Sequence, residues 1–301
     1  MSEFAIEIED LRFSYGRNEV LRGVSLQVPR GSIFGFLGRN AAGKTTTIKI
    51  LLGLLRPDAG TCRINGLDSQ KDATKVRQSV GYMAEDQQMF GWMRIEQIVR
   101  WLASFYPTWD LRFVQELMDV LELPPKAKIK SLSKGQNSRL ALLLALGHRP
   151  NVVILDDPTL GLDPIARKDF LRYVISLLQS NGVTVFFSSH LLYEIEPVAD
   201  YVAILKDGVI AKADKTDELR RSVKKLILRG AREFDPGGLE GVLDVSELGE
   251  GMAVTVERFD DSKPAVIEQE SQCSVLQTVD LNLDEIFAAY VIGNRGQRVK
   301  V

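Results

Sequence analysis

The run Gly38-Arg-Asn-Ala-Ala-Gly-Lys-Thr45, followed by Thr46, restricts what this chain can fold into more than any other stretch. It fits the pattern G-x-x-x-x-G-K-[ST], and its surroundings fit too. Ser32–Leu37 ahead of it is a short apolar run of strand type. Thr46–Leu55 behind it has helical spacing and stops before Pro57, with Gly60 beyond. Strand, glycine loop and helix in that order aim backbone N–H groups and a helix N-terminus at one spot, a nest for phosphate oxygens. Lys44 would add a point charge on the β- and γ-phosphates, and the Thr45 hydroxyl would ligate Mg2+. The loop predicts a nucleoside triphosphate site on an α/β sheet.

With 301 residues the chain can bury a full core and has room for one large domain plus a small one. A formal net charge of -2 gives no global basic field, so no nucleic-acid partner is expected. The apolar run Leu140–Leu146 is far too short to span a bilayer. Met1-Ser-Glu-Phe4 carries no basic and apolar secretion signal, so a soluble, cytoplasmic chain is expected. Cys62 and Cys273 suggest no disulfide scaffold and read as small buried apolar residues.

Ahead of the loop, Phe4–Glu9, Leu11–Tyr15 and Val20–Val28 read as strands of an antiparallel lobe with turn residues between them. Tyr15 is either a packed strand aromatic or a platform for an adenine ring. Gln78–Met83 is a further strand. Phe90, Trp92, Met93, Trp101, Phe105, Tyr106 and Trp109 then crowd together, with helical patterns at Met93–Phe105 and Leu111–Leu123. Taken singly each is core; together they also suit a groove that receives another protein's helix.

Ser131–Gln136 leads into a helix over Asn137–Leu146, with Ser133 as its N-cap, and forms a second anion site. Val152–Asp156 is an apolar strand ending in Asp156 and Asp157, where a terminal acid suits Mg2+. Pro164 opens a long helix to about Gln179. Val183–Ser189 is one more buried strand with His190 at its end, and Lys206–Gly208 turns a hairpin between Tyr201–Leu205 and Val209–Ala211.

With these pieces in this order, residues 4 to 225 resemble the nucleotide-binding subunit of an ATP-binding cassette (ABC) transporter. The phosphate loop, the Leu132-Ser-Lys-Gly-Gln136 signature, the acidic strand, Gly161-Leu-Asp163 and His190 all appear in family order. The resemblance implies a P-loop NTPase core with an antiparallel β lobe and an inserted helical subdomain, about residues 86–150. It also implies ATP and Mg2+ sandwiched head to tail, between Gly38, Arg39, Asn40, Ala41, Ala42, Gly43, Lys44, Thr45 and Thr46 of one subunit and Ser133, Lys134, Gly135 and Gln136 of a second. By the same resemblance Asp156 would hold Mg2+, His190 would touch the γ-phosphate, and Asp163 would couple the two sites.

The sequence departs from the family pattern in places. Asp157 stands where the family has a glutamate that orients the attacking water; with a side chain one methylene shorter, slow but real hydrolysis is expected. Glu85 stands at the position of a glutamine that senses Mg2+ and water, with Gln87 and Gln88 as nearby alternatives in register. Ala41 replaces a common glycine and would be strained if its φ were positive. Lys134 replaces a small residue of the signature and adds a positive charge near the partner's ATP.

From about Thr216 to residue 301 the resemblance weakens. Lys224–Arg229 and Met252–Glu257 read as strands, and Gly237–Gly241 and Gly249–Gly251 as turns. Asn282–Tyr290 resembles the last helix of the small α+β extension of exporter-type subunits. The expected function is therefore an ATPase that lies on the cytoplasmic face of the membrane and drives a separate integral-membrane permease, for export. The alternative is a soluble ATP switch acting on nucleic acid or a ribosome.

Overall fold

The computed structural model describes residues 2–86, 88–179, 182–190, 196–229, 240–249, 251–271 and 273–293. The hairpin β1 (Phe4–Tyr15) and β2 (Asn18–Pro29) precedes the core strand β3 (Ile33–Gly38) and helix α1 (Lys44–Leu51). β4 (Ala59–Ile64) and the short β5 (Leu67–Asp68) return to the hairpin and complete an antiparallel sheet in the order β2-β1-β4-β5. Helix α2 (Ala73–Ser79) leads to β6 (Val80–Met83), followed by α3 (Ile95–Ala103), α4 (Leu111–Val120) and α5 (Lys134–Leu146). β7 (Val152–Asp156), α6 (Pro164–Gln179), β8 (Thr184–Ser189), β9 (Tyr201–Lys206) and β10 (Val209–Lys215) complete a six-stranded sheet, β10-β9-β3-β8-β7-β6. Its pairings are parallel except for the β9–β10 hairpin. After α7 (Thr216–Ser222) come β11 (Lys224–Arg229), β12 (Val242–Leu248), β13 (Gly251–Val256), α8 (Lys263–Ser271), β14 (Ser274–Asp280) and α9 (Leu283–Val291). Their strands form a separate antiparallel sheet, β12-β13-β11-β14.

The five parallel strands of the six-stranded sheet are buried on both faces, and their sequence shows why. Side chains alternate across a strand. In β7, Val152 and Ile154 join the apolar cluster shared with the β1–β2 lobe and α1, while Val153 and Leu155 join the cluster under α3, α4 and α5. A continuous apolar run can satisfy both only if each face is covered. The carboxyl ends of β3, β7 and β8 converge, with Leu37 opposite Ser189 and Asp156 opposite Ser188. Parallel α/β sheets bind ligands in that crevice. Burial also accounts for both cysteines and pushes the Cys62 thiol up to about 12.

Several local expectations are corrected. The two predicted strands Phe4–Glu9 and Leu11–Tyr15 are one strand, bent rather than broken at Asp10, whose φ is 42° and whose pairing shifts there. Helix α1 ends at Leu51, four residues early, because Gly53 turns left-handed at φ 64°. Gln78 and Ser79 belong to the end of α2, and the strand starts only at Val80. In the C-terminal piece both predicted strands are present, while residues 237–239 and Glu250 of the predicted turns lie outside the described residues.

Candidate active site

The phosphate loop is held open by contacts that leave no room for larger residues. Gly43 has φ 109°, and a Cβ there would come within 2.6 Å of Leu21 Cδ2. A Cβ on Gly38 would lie 2.9 Å from the Leu205 carbonyl. Ala41 has φ 66°, so the alanine does sit in the left-handed region where its sequence position made strain a concern. Arg39 and Asn40 at the loop tip are exposed and Ala42 is half-buried. Lys44 and Thr46 are buried; Lys44 Nζ donates to the Gly38 carbonyl at 2.9 Å and lies 3.5 Å from Asp157 Oδ2.

The two aspartates part company at the end of β7. Asp156, the last strand residue, is fully buried, and its Oδ1 accepts from Ser188 Oγ at 2.6 Å and Thr45 Oγ1 at 3.3 Å. Its Oδ2 is buried with no hydrogen-bond partner among the described residues. Burial lifts this carboxyl above the usual range, against the hydrogen bonds from Ser188 and Thr45; the charges of Asp157 and Glu85 push it further up. Asp157 has φ 42°, and its N–H donates to the Ser188 carbonyl and hydroxyl, each at 3.1 Å. That backbone reversal sends its carboxylate to Lys44 and to His190, whose Nδ1 lies 2.7 Å from Asp157 Oδ1. Ser188 organises both acids, a role not read from the sequence; its signal was a pair of small hydroxyl residues at the end of an apolar strand.

A cavity of about 790 Å³ opens beside the loop, walled by Arg39–Ala42, His190, the start of β2 and the turn after β9. Tyr15 stands outside those walls, half exposed and packed edge-on against Phe13, so both of its predicted roles stay compatible with its position. Glu85 is exposed but near enough to raise the Asp156 carboxyl; Gln88 hydrogen-bonds Asp86, and Gln87 lies outside the described residues. The signature residues do not reach this cavity. Ser133 caps α5 as predicted: its Oγ accepts the Gln136 N–H at 3.1 Å, and the Gln136 side chain accepts the Ser133 N–H at 3.0 Å. The helix starts at Lys134 rather than Asn137. A Cβ on Gly135 would meet Ala166 at 3.5 Å and Ser133 Oγ at 4.0 Å, and Lys134 Nζ lies 3.5 Å from where a Cβ on Gly161 would stand. Asp163 accepts the N–H groups of Ile165 and Ala166 at the start of α6.

A family model described as ABC transporter matches residues 21–160. The chain is 29% identical to the ABC transporter ATP-binding protein YtrB of Bacillus subtilis over 291 residues, 96% of this chain and 99% of that protein. It is 33% identical to the bacitracin transport ATP-binding protein BcrA of Bacillus licheniformis over 224 residues, 74% of this chain and 73% of that one. The chain belongs to the ABC transporter ATP-binding proteins. A solved ATP-binding subunit of an ABC transporter superposes with a TM-score of 0.65 at 28% identity, covering 72% of this chain and 92% of the other. This ABC protein is thus an ATPase, the ATP-driven subunit of a transporter. Among its described residues no helix is long and apolar enough to cross a membrane.

The aromatics of the helical region divide in two. Tyr106 stacks on buried His148 with centroids 4.2 Å apart, and half-buried Trp109 fills the space that a side chain on Gly147 would need. Phe90, Trp92, Trp101 and Phe105 are exposed and touch one another ring to ring in a chain.

Proposed function

We propose that this ABC subunit closes head to tail on a second copy or a close relative, gripping ATP between Gly38–Thr46 of one chain and Ser133–Gln136 of the other. The separation of the signature from the phosphate-loop cavity within one chain supports that reading. Closure would drive a permease whose cytoplasmic helix docks on Phe90, Trp92, Trp101 and Phe105, an exposed apolar patch of the kind that marks a protein interface. Residues 1–215 would form the ATPase domain and 216–301 the extension. Export is the assigned direction, favoured by the extension and by the bacitracin transport named for BcrA. A switch acting on nucleic acid or a ribosome is not favoured, since the relatives are transporter subunits.

Asp156 and Thr45 fit Mg2+, because their oxygens already converge and a buried carboxylate oxygen without a partner is a ligand in want of a cation. Glu85 would complete the set from the rim. When bound, the ion would neutralise charge on the β- and γ-phosphate oxygens. In hydrolysis Lys44 and His190 would face the γ-phosphate, and Asp157 would orient the attacking water. The observation that carries this is the Asp157 carboxylate shared between Lys44 and His190. One methylene short, it reaches both through a left-handed backbone that aspartate tolerates better than most residues.

Single-turnover hydrolysis on the ATP-closed assembly tests the assignment. Asp157→Glu should speed the reaction, and Asp157→Asn should slow it by roughly 10²–10⁴-fold, the usual worth of a positioned base. An unchanged or lower rate in Asp157→Glu would overturn the short-acid account. Failure of the intact chain to retain ATP would overturn the site.

A further inference from the structure

The C-terminal piece does not simply follow the ATPase core; it leaves the core and comes back. Its sheet has an apolar cluster of its own, built on Leu226, Leu228, Val254, Val256 and Ile267. Helix α9 does not belong to that cluster. Leu283, Ile286, Ala289 and Tyr290 are buried in the large cluster under the six-stranded sheet, together with Leu37, Leu155 and Phe187.

Both ends of α9 are tied down, and the second lies beside the cavity. At its start, Glu196 Oε1 accepts the Leu283 N–H at 3.1 Å and an Arg220 guanidinium N–H at 2.8 Å, so α7 and α9 meet on one carboxylate. At its end, Lys206 Nζ donates to the Tyr290 carbonyl at 3.2 Å, a basic side chain on one of the last carbonyls of a helix. Phe287 and Val291, one turn apart on the same stripe, line the same cavity as Arg39–Ala42 and His190.

We infer that α9 is a wall of the nucleotide cavity, and that its seating sets how tightly the ATP-binding protein holds adenine nucleotide. The inference rests on the reading that this cavity takes ATP. An apolar wall keeps water off the phosphate-loop side of the cavity, and electrostatic contacts weaken where water enters. Linkage is reciprocal: if the seating of α9 changes nucleotide affinity, nucleotide must change the stability of α9 by the same factor.

The test uses the full chain, a fluorescent ATP analogue and hydrogen exchange over residues 283–291. Phe287→Ala and Lys206→Met should each weaken binding about 5- to 20-fold, within the range of typical coupling between sites. Phe287→Leu should restore most of the loss, and Val254→Ala, in the separate sheet cluster, should leave affinity within about twofold, since distant sites act independently. ATP should raise the protection of the α9 amides in the unmodified chain, a readout that needs no variant to fold. Unchanged affinity in Lys206→Met with α9 protection unmoved by ATP overturns the inference. If the unmodified chain binds no nucleotide, the reading of the cavity falls and the inference with it.

Discussion

Asp157 grips His190 twice: its Oδ1 accepts the histidine backbone N–H at 3.2 Å and lies 2.7 Å from the ring Nδ1. The second contact fixes the ring, leaving Nε2 as the nitrogen for a ligand. Two residues that act as one unit should not show additive losses. His190→Ala should slow hydrolysis by roughly 10²–10³-fold, the scale of losing one preorganised transition-state contact, with ATP retention kept. Combining it with Asp157→Asn should add little to the larger single loss. Single-turnover rates of the three variants check this.

Ala41 is held at φ 66° and is exposed at the loop tip. A left-handed alanine costs roughly 1–2 kcal/mol, and glycine gives back about 0.5–1 kcal/mol of that in chain entropy. Ala41→Gly should therefore stabilise the nucleotide-free chain by up to about 1 kcal/mol, read as a higher urea midpoint at unchanged slope.

His148 is buried, stacked on Tyr106, and burial pushes its imidazole down to about 4 from an ordinary 6.5. Between those values the unfolded chain binds the proton and the folded chain refuses it, so stability is full above pH 6.5 and falls as pH drops towards 4. Unfolding free energies of the unmodified chain and of His148→Gln should differ in slope in that window and run parallel above pH 6.5 and below pH 4. A constant gap from pH 7 to 4 would exclude His148 as the titrating group.

Trp92 is 68% exposed and Trp101 43% exposed, so neither holds the core. Replacing both by serine should leave stability within about 1 kcal/mol, as for surface sites away from packing features. The same variant should lose recruitment to membranes carrying the permease, measured by co-sedimentation, while its ATP binding stays intact.

The site was legible in the sequence where chemistry is local. The phosphate loop, the acid pair ending β7, the Ser133 cap and the Pro164 start of α6 are each written within a few residues, and each is found where it was expected. The bend at Asp10, the early stop at Gly53 and the left-handed Ala41 were less visible, since they depend on what the backbone meets elsewhere. β14 hid for a different reason: it lies at a sheet edge, mostly exposed, and is held by ladder bonds to β11. The return of α9 to the ATPase core was illegible, because an amphipathic helix does not say which of two apolar clusters it will join.

The meeting of Arg220 and Leu283 on Glu196 brings the exit and the re-entry of residues 224–280 to one place. A segment whose two ends lie together can be exchanged for another without redrawing the host, in the way loops accept whole modules. The sheet also touches the last helix, through Lys225 on Glu285 and the Tyr290 hydroxyl on Glu257, so an incoming module would have to satisfy those two residues. A graft that spans Ser222 to Asn282 and spares that helix is the natural unit of such an exchange.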